Sequence, residues 1–109
     1  MSSEVKSSLY LFVILSIVDF EIHKNERKLL EEAIKELDKK FNIDDALAHI
    51  NERFRDDFET AASFYMEKIK SKNFQKKCME FMKDLAMSDN KLHDKEISFL
   101  DICTKYWKK

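Results

Sequence analysis

The sequence predicts an all-α fold, a compact bundle of about six helices that forms one domain over residues 1–109. Three observations predict it: the chain has no glycine and no proline, its apolar residues recur at helical spacing, and one corner-like motif occurs twice. Glycine supplies positive φ in tight turns and proline supplies turns and strand edges, so a β-rich domain could hardly lack both. Helical corners can use Asn, Asp, Ser and His instead.

The bulk composition limits the classes of partner. A chain of 109 residues can bury a real core without metals or disulfides. Its 20 basic and 21 acidic side chains nearly balance, which argues against a dedicated nucleic-acid or anionic-membrane protein. The segment KIKSKNFQKK, residues 68–77, carries five lysines and no acid. We interpret it as a solvated connection between helices rather than a phosphate-binding surface.

The first predicted helix contains the most apolar stretch, LYLFVILSIV at residues 9–18. Ten helical residues rise only about 15 Å, roughly half of a bilayer's hydrocarbon core, so the stretch does not span a membrane. A signal peptide is disfavoured because Glu4 precedes the stretch and the charged DFEIHK follows it without a cleavage site. We therefore predict a helix from about Val5 to Val18 at the centre of the bundle of a cytoplasmic protein.

Five further helices follow from apolar spacing and from polar residues that start helices. The predicted elements are helix two from about Lys24 to Lys40, helix three capped by Asn42, helix four started by Asp56 or Asp57, a connection at residues 70–73, helix five capped by Ser71 or Asn73, and helix six from about Asp94 to Lys108. The stripes predicted to face the core include Leu30, Ala33, Ile34, Leu37 and Phe41 in helix two, Phe58 to Ile69 at helical spacing in helix four, and Ile97, Leu100, Cys103 and Trp107 in helix six.

The two cysteines, Cys78 and Cys103, lie singly within apolar helical stretches, and the chain has no CxxC pair. This placement predicts two reduced, buried thiols, with a disulfide as the alternative. A sulfur-based zinc site is not supported.

One octet occurs twice at a spacing of 70 residues, as DFEIHKNE at 19–26 and DNKLHDKE at 89–96. The match continues outside the octet, since Leu15 corresponds to Leu85 and Leu30 to Leu100. The repeated unit is thus the end of one apolar helix, a corner and the start of the next helix. Two such helical hairpins predict an internal pseudo-twofold repeat.

Two interpretations of the octet stay open. In the first, it is a folding motif: the histidine stands at the N-cap, the glutamate stands at the third helical position as in a capping box, and the aspartate reaches across the corner. In the second, the same side chains also bind a divalent ion such as calcium, magnesium, manganese or zinc. The spacing is neither that of an EF-hand nor that of a zinc-protease helix. The candidate ligands are Asp19, His23, Glu26, Asp89, His93 and Glu96.

The segments VILSIVDFEIHKNERKLLEEAI and MKDLAMSDNKLHDKEISFLDIC resemble the two halves of TerB-like domains, the tellurite-resistance family, and are similar to a helical domain of some membrane-anchored DnaJ-type co-chaperones. The family pattern is an apolar helix ending in Ala-x-Ala-Asp-Gly, then a β-branched or Leu residue, three variable residues and a Glu. The family's glycine is Phe20 in one copy and Asn90 in the other. Asparagine tolerates the left-handed conformation, but phenylalanine does so only at a cost, so the first corner is expected to differ in shape. The matched positions are Asp19 and Asp89, Ile22 and Leu92, and Glu26 and Glu96.

The resemblance implies an all-helical fold with internal pseudo-symmetry and a non-enzymatic role in the response to metal or oxyanion stress. It also implies acidic side chains available to cations and protein partners near the cytoplasmic face of the membrane. Only the aspartates and glutamates of the octets are carried over from the family, because the histidines are proposed from their position alone.

These observations leave three functions open. A binding module is expected first, since the chain lacks a nucleophile motif, a phosphate-binding glycine loop and a metal-protease spacing. A metal-dependent hydrolase that uses the same Asp, His and Glu sets is the enzyme alternative. A purely structural adaptor that acts through its surface charge is the third.

Overall fold

The fold is organised around its first helix. The computed structural model describes residues 3–18, 24–55, 57–88 and 94–107. Within these ranges the chain forms α-helices and no strand, so the predicted all-α class is confirmed. The six helices are α1 (Ser3–Ile17), α2 (Lys24–Leu37), α3 (Ile43–Phe54), α4 (Phe58–Met66), α5 (Lys72–Ala86) and α6 (Asp94–Trp107).

Helix α1 contacts each of the other five helices, as expected for the most apolar segment of the chain. Leu9, Ile14 and Leu15 are completely buried, and each side chain of this size stabilises the fold by about 1.5–3 kcal/mol relative to exposure. The hydroxyl groups of the buried Ser8 and Ser16 donate to main-chain carbonyl groups within α1, at 2.6 and 3.0 Å. The helix can therefore be enclosed on all sides without leaving these polar groups unsatisfied.

Helices α1 and α5 run parallel, and hydrogen bonds at both ends fix this arrangement. At one end, a carboxylate oxygen of Glu4 accepts from the main-chain N–H groups of Lys70 and Ser71, at 2.7 and 3.0 Å, just before α5 begins. At the other end, the side-chain amide of Asn25 in α2 donates to the carbonyl oxygen of Ser88, 3.2 Å away and just after α5 ends. Both α1 and α5 thus end at the same end of the molecule, which we call the corner end.

Three predicted N-caps are present, each with a side-chain oxygen that accepts from the main-chain N–H three residues later. These bonds run from Asp45 N to Asn42 Oδ1 at 2.9 Å, from Thr60 N to Asp57 Oδ1 at 3.2 Å and from Phe74 N to Ser71 Oγ at 3.3 Å. At Asp57, the hydrogen bonds from the hydroxyl and N–H groups of Thr60 lower the pKa of the carboxyl group. The capping choices left open between Asp56 and Asp57, and between Ser71 and Asn73, are therefore decided for Asp57 and Ser71.

Two helices end earlier than predicted. Helix α2 stops at Leu37 rather than Lys40 because the Asp38 carboxylate accepts from the main-chain N–H of Lys40 at 3.1 Å, a local bond that competes with helical pairing. Helix α4 stops at Met66, so the connection to α5 covers residues 67–71 rather than 70–73. Ile69 still lies in the core, although it follows a turn and is not part of a helix.

Two residues predicted to face the core do not. Leu37 in α2 is 40% exposed and Ile97 in α6 is 44% exposed. The buried stripe of α2 begins instead at Glu26, and that of α6 runs through Glu96, Phe99 and Cys103. In α6, assigning Glu96 to solvent rotates the inferred apolar face toward Ile97, whereas Leu37 lies on the same face as Glu26 and is exposed at the end of α2.

Burial also determines the protonation state of the two thiols and of the Tyr65 phenol. Cys78 and Cys103 are free and buried, as predicted, and burial raises the pKa of each thiol to about 12. Tyr65 stacks on Tyr10 with ring centroids 4.6 Å apart, and burial raises its pKa to about 12. These groups stay protonated at neutral pH.

Helix α6 closes the bundle against α4 and α5. The indole N–H of Trp107 donates to the carbonyl oxygen of Met66 at 3.4 Å, which ties the end of α6 to the end of α4. The Cα radius of gyration is 12.6 Å, close to the value of about 13 Å for a compact chain of this length. None of the helices in the described ranges is long and apolar enough to cross a membrane.

Candidate cation site at the corner end

The two repeated glutamates occupy equivalent positions in their helices. Since α2 begins at Lys24 and α6 at Asp94, Glu26 and Glu96 are each the third residue of a helix, as predicted. Both are buried, with exposed fractions of 1% and 0%. The positive end of the helix dipole favours a carboxylate at this position.

Glu96 lies in an unusual environment for a carboxylate. Neither of its side-chain oxygens has a hydrogen-bond donor among the residues that the structure describes. The hydroxyl group of Ser88, just before the second octet, is likewise buried without a partner in that part of the chain. A buried carboxylate without donors or an opposite charge is costly, so this position is suited to a cation.

The structure brings the start of α2 and the end of α5 together, although it does not bring α2 and α6 into contact. The hydrogen bond between Asn25 and Ser88 joins the start of α2 to the end of α5, one residue before the second octet. Helices α2 and α6 do not pack on each other; each packs instead on both α1 and α5. Glu26 and Glu96 therefore belong to two helices that do not contact each other and that both pack on α1 and α5.

Most of the predicted ligand set falls outside the described residues. The candidates outside the described ranges are Asp19, His23, Asp89 and His93. Phe20 and Asn90, at the family's glycine position, lie outside those ranges as well. Within the described ranges, no group of three or more His, Cys, Asp or Glu side chains is arranged to hold a metal ion. Because only Glu26 and Glu96 of the six candidates are in those ranges, the metal site stays a prediction.

Sequence reasoning missed Asn25 and Ser88, the residues that join the start of α2 to the end of α5. Asn25 and Ser88 correspond to Lys95 and Val18 in the other copy of the repeat, so the periodic pattern carries no signal for them. Their hydrogen bond depends on the parallel arrangement of α1 and α5, which is a tertiary feature. Only the turn-forming character of Asn and Ser at helix ends could have drawn attention to them.

The buried thiols do not supply a catalytic nucleophile. With a pKa of about 12, Cys78 and Cys103 are almost fully protonated at neutral pH, and the thiolate is the reactive species. Cysteine-based catalysis is therefore not supported in the described part of the chain.

Comparisons with protein-family models, with curated proteins and with solved structures each return no significant match. The likeness to TerB-like domains thus depends on the two sequence segments that contain the octets.

Proposed function

We propose that the chain is a non-enzymatic, TerB-like stress-response module that binds a divalent cation at its duplicated helix corners and acts through protein partners. The observation that carries the proposal is the full burial of Glu96, whose carboxylate has no hydrogen-bond donor among the described residues. A cation would supply an opposite charge to this carboxylate, for which the described residues provide no hydrogen-bond donor.

The repeat supports the same proposal independently of Glu96. Glu26 has the same place in its helix and is also buried, and the helix that it begins is hydrogen-bonded at its start to the end of α5. The residues proposed to hold the ion are Glu26 and Glu96, with Asp19, His23, Asp89 and His93 as the predicted additional ligands. Carboxylates with imidazole groups suit calcium, magnesium, manganese or zinc to different degrees, so the preferred ion is a matter for measurement.

The test is calorimetric titration of metal-stripped protein with each of these four ions. We expect micromolar binding of at least one ion and its loss in the Glu26→Gln/Glu96→Gln double variant, because the amide keeps the shape but removes the charge. One ion per chain would assign a shared site to the two corners, and two would assign one ion to each.

A matched control is available on the same two helices. Glu31 and Asp101 also correspond by the 70-residue repeat, and both side chains are exposed in surface ion pairs with Arg27 and Lys105. The Glu31→Gln/Asp101→Asn variant should bind the ion as the native protein does. If no ion binds to the native protein, the metal proposal is wrong and the octets are helix-capping motifs alone.

The proposal places the module in the cytoplasm, with protein partners near the membrane face. A metal-dependent hydrolase using the same side chains is the alternative that turnover assays would detect. Release of product from generic phosphoester or peptide substrates, lost in the Glu26→Gln/Glu96→Gln variant, would replace the binding module with that enzyme. Absence of both metal binding and turnover would leave a structural adaptor.

A further inference from the structure

An apolar groove lies between α2 and α5, on a different part of the surface from the corner carboxylates. These helices are antiparallel neighbours, since the start of α2 is bonded to the end of α5. The groove has a volume of about 290 Å³. An apolar cavity of about 150 Å³ accommodates one benzene molecule, so the groove has room for about two large apolar side chains. Its apolar lining comprises Phe12, Leu29, Leu37, Phe74, Cys78 and Phe81.

The groove is incompletely covered by the chain itself. Leu37, one of the few exposed large apolar side chains in the described ranges, lies on its wall, and Leu29, Phe74 and Phe81 are only half-buried. A stripe of this kind on two adjacent helices exposes apolar surface whose burial by a partner is favourable.

The rims of the groove carry opposite charges. Glu32 and Glu36 line it from α2, and Lys77 lines it from α5. All three side chains are exposed, and no ion pair among the described residues involves them. The surface therefore offers an apolar floor with two negative charges along one edge and one positive charge along the other.

The shape of the groove favours a convex occupant. A helix laid between two antiparallel helices inserts its apolar side chains into the gap, which is a common mode of recognition. A second copy of this chain would present the same concave surface, and two concave surfaces leave a gap between them. The occupant that fits both shape and charge is a single amphipathic helix.

We propose that the groove between α2 and α5 binds an amphipathic helix of a partner protein, with basic side chains against Glu32 and Glu36 and an acidic side chain against Lys77. This inference rests on the protein-partner part of the proposed function and gives those partners a surface and a chemistry. It does not depend on the metal site, so a failed metal titration and a failed peptide titration are separate results.

The probe is a fluorescein-labelled synthetic helix of about 15 residues, near the length at which an isolated helix becomes marginally stable. It carries leucine at every third or fourth position, lysines along one edge of the leucine stripe and glutamates along the other. Fluorescence anisotropy should show saturable binding to the native protein. Amide chemical shifts should change along the facing sides of α2 and α5.

The Glu32→Lys/Glu36→Lys variant should weaken this binding roughly tenfold, because it replaces attraction to the basic edge with repulsion. The control is Glu52→Lys/Glu59→Lys, which changes the net charge equally at exposed positions of α3 and α4. A Leu37→Lys variant should also lose binding while circular dichroism remains native, since Leu37 is on the surface.

Three results with the peptide would overturn the proposal. The peptide fails to bind, it binds with equal affinity to both glutamate variants, or the shift changes map elsewhere on the protein. Sedimentation that shows a dimer dissociated by Leu37→Lys would likewise overturn it, because the groove would then belong to a second copy.

Discussion

Glu96 is the residue whose burial most needs a physical account. Glutamate is rarely buried without a partner, since the loss of hydration must be offset by hydrogen bonds or by an opposite charge. Here both carboxylate oxygens are buried without a donor among the described residues. In metal-free protein the group should therefore lower the stability of the fold.

The variant Glu96→Gln tests this at the residue scale. In metal-stripped protein we expect it to raise the free energy of unfolding by on the order of 1 kcal/mol, because it removes a buried charge for which the described residues supply no donor. The advantage should disappear when the preferred ion saturates the native protein, since the ion stabilises only the carboxylate form. Urea unfolding with and without the ion measures both effects.

Asp101→Asn is the control for this experiment, because it makes the same chemical change at an exposed position of the same helix. It should alter the free energy of unfolding little under either condition. If Glu96→Gln destabilises the metal-free protein instead, the carboxylate is satisfied by helix capping.

At the scale of the elements, the N-caps decide where helices begin. Asn42 has extended backbone dihedral angles and accepts from Asp45 N, so it satisfies one of the free N–H groups in the first turn of α3. The exposed Asn51 lies inside the same helix and has no such role. The same substitution at these two asparagines therefore separates the contribution of the cap from the effect of losing an asparagine side chain.

Replacing Asn42 with alanine should lower the free energy of unfolding by about 1 kcal/mol through loss of the cap. Replacing Asn51 with alanine should be neutral or slightly stabilising, because alanine is the better helix former. Thermal unfolding of the two variants provides the comparison. Equal effects at the two positions would show that the cap contributes nothing.

Much of the helical architecture could be predicted from local sequence patterns. The six helices, the caps at Asn42 and Ser71 and the starts of α2 and α6 follow from apolar spacing and from polar helix-start residues. The end of α2 could not be predicted. Asp38 stops the helix through a hydrogen bond from the main chain to its own side chain, and a sequence pattern does not show whether such a bond forms.

The candidate site was predictable only in part. The octets give Glu26 and Glu96 their places at the third helical position, but not their burial, because glutamate is ordinarily exposed. That assumption also turned the predicted inward face of α6 toward Ile97. The hydrogen bond between Asn25 and Ser88, which joins the start of α2 to the end of α5, arises from long-range packing that no local pattern contains.

At the scale of the whole molecule, the buried thiols and the buried Tyr65 phenol make the free energy of unfolding depend on pH in the alkaline range. The pKa values of Cys78 and Cys103 rise from an ordinary 9.0 to about 12, and that of Tyr65 rises from 10.0 to about 12. Above the ordinary values the unfolded chain loses protons that the folded chain keeps, so the free energy of unfolding falls as pH increases. This stability is fully present at neutral pH and is lost progressively between about pH 9 and pH 12.

We therefore expect the urea midpoint, measured under reducing conditions, to fall steadily from pH 9 upward. A Cys78→Ala/Cys103→Ala variant should begin its decline later, near the ordinary pKa of tyrosine, because only Tyr65 then contributes among these three groups. Parallel curves for the two proteins would show that the thiols ionise equally in the folded and unfolded states.

The central position of α1 has a consequence for synthesis. The five helices that enclose it are all translated after it, and the last of them, α6, lies about 90 residues further along the chain. A nascent chain therefore carries its most apolar segment incompletely covered until α6 has been synthesised. Shortened versions that lack α5 and α6 would keep that segment exposed permanently, which makes them substrates for chaperones and prone to aggregate.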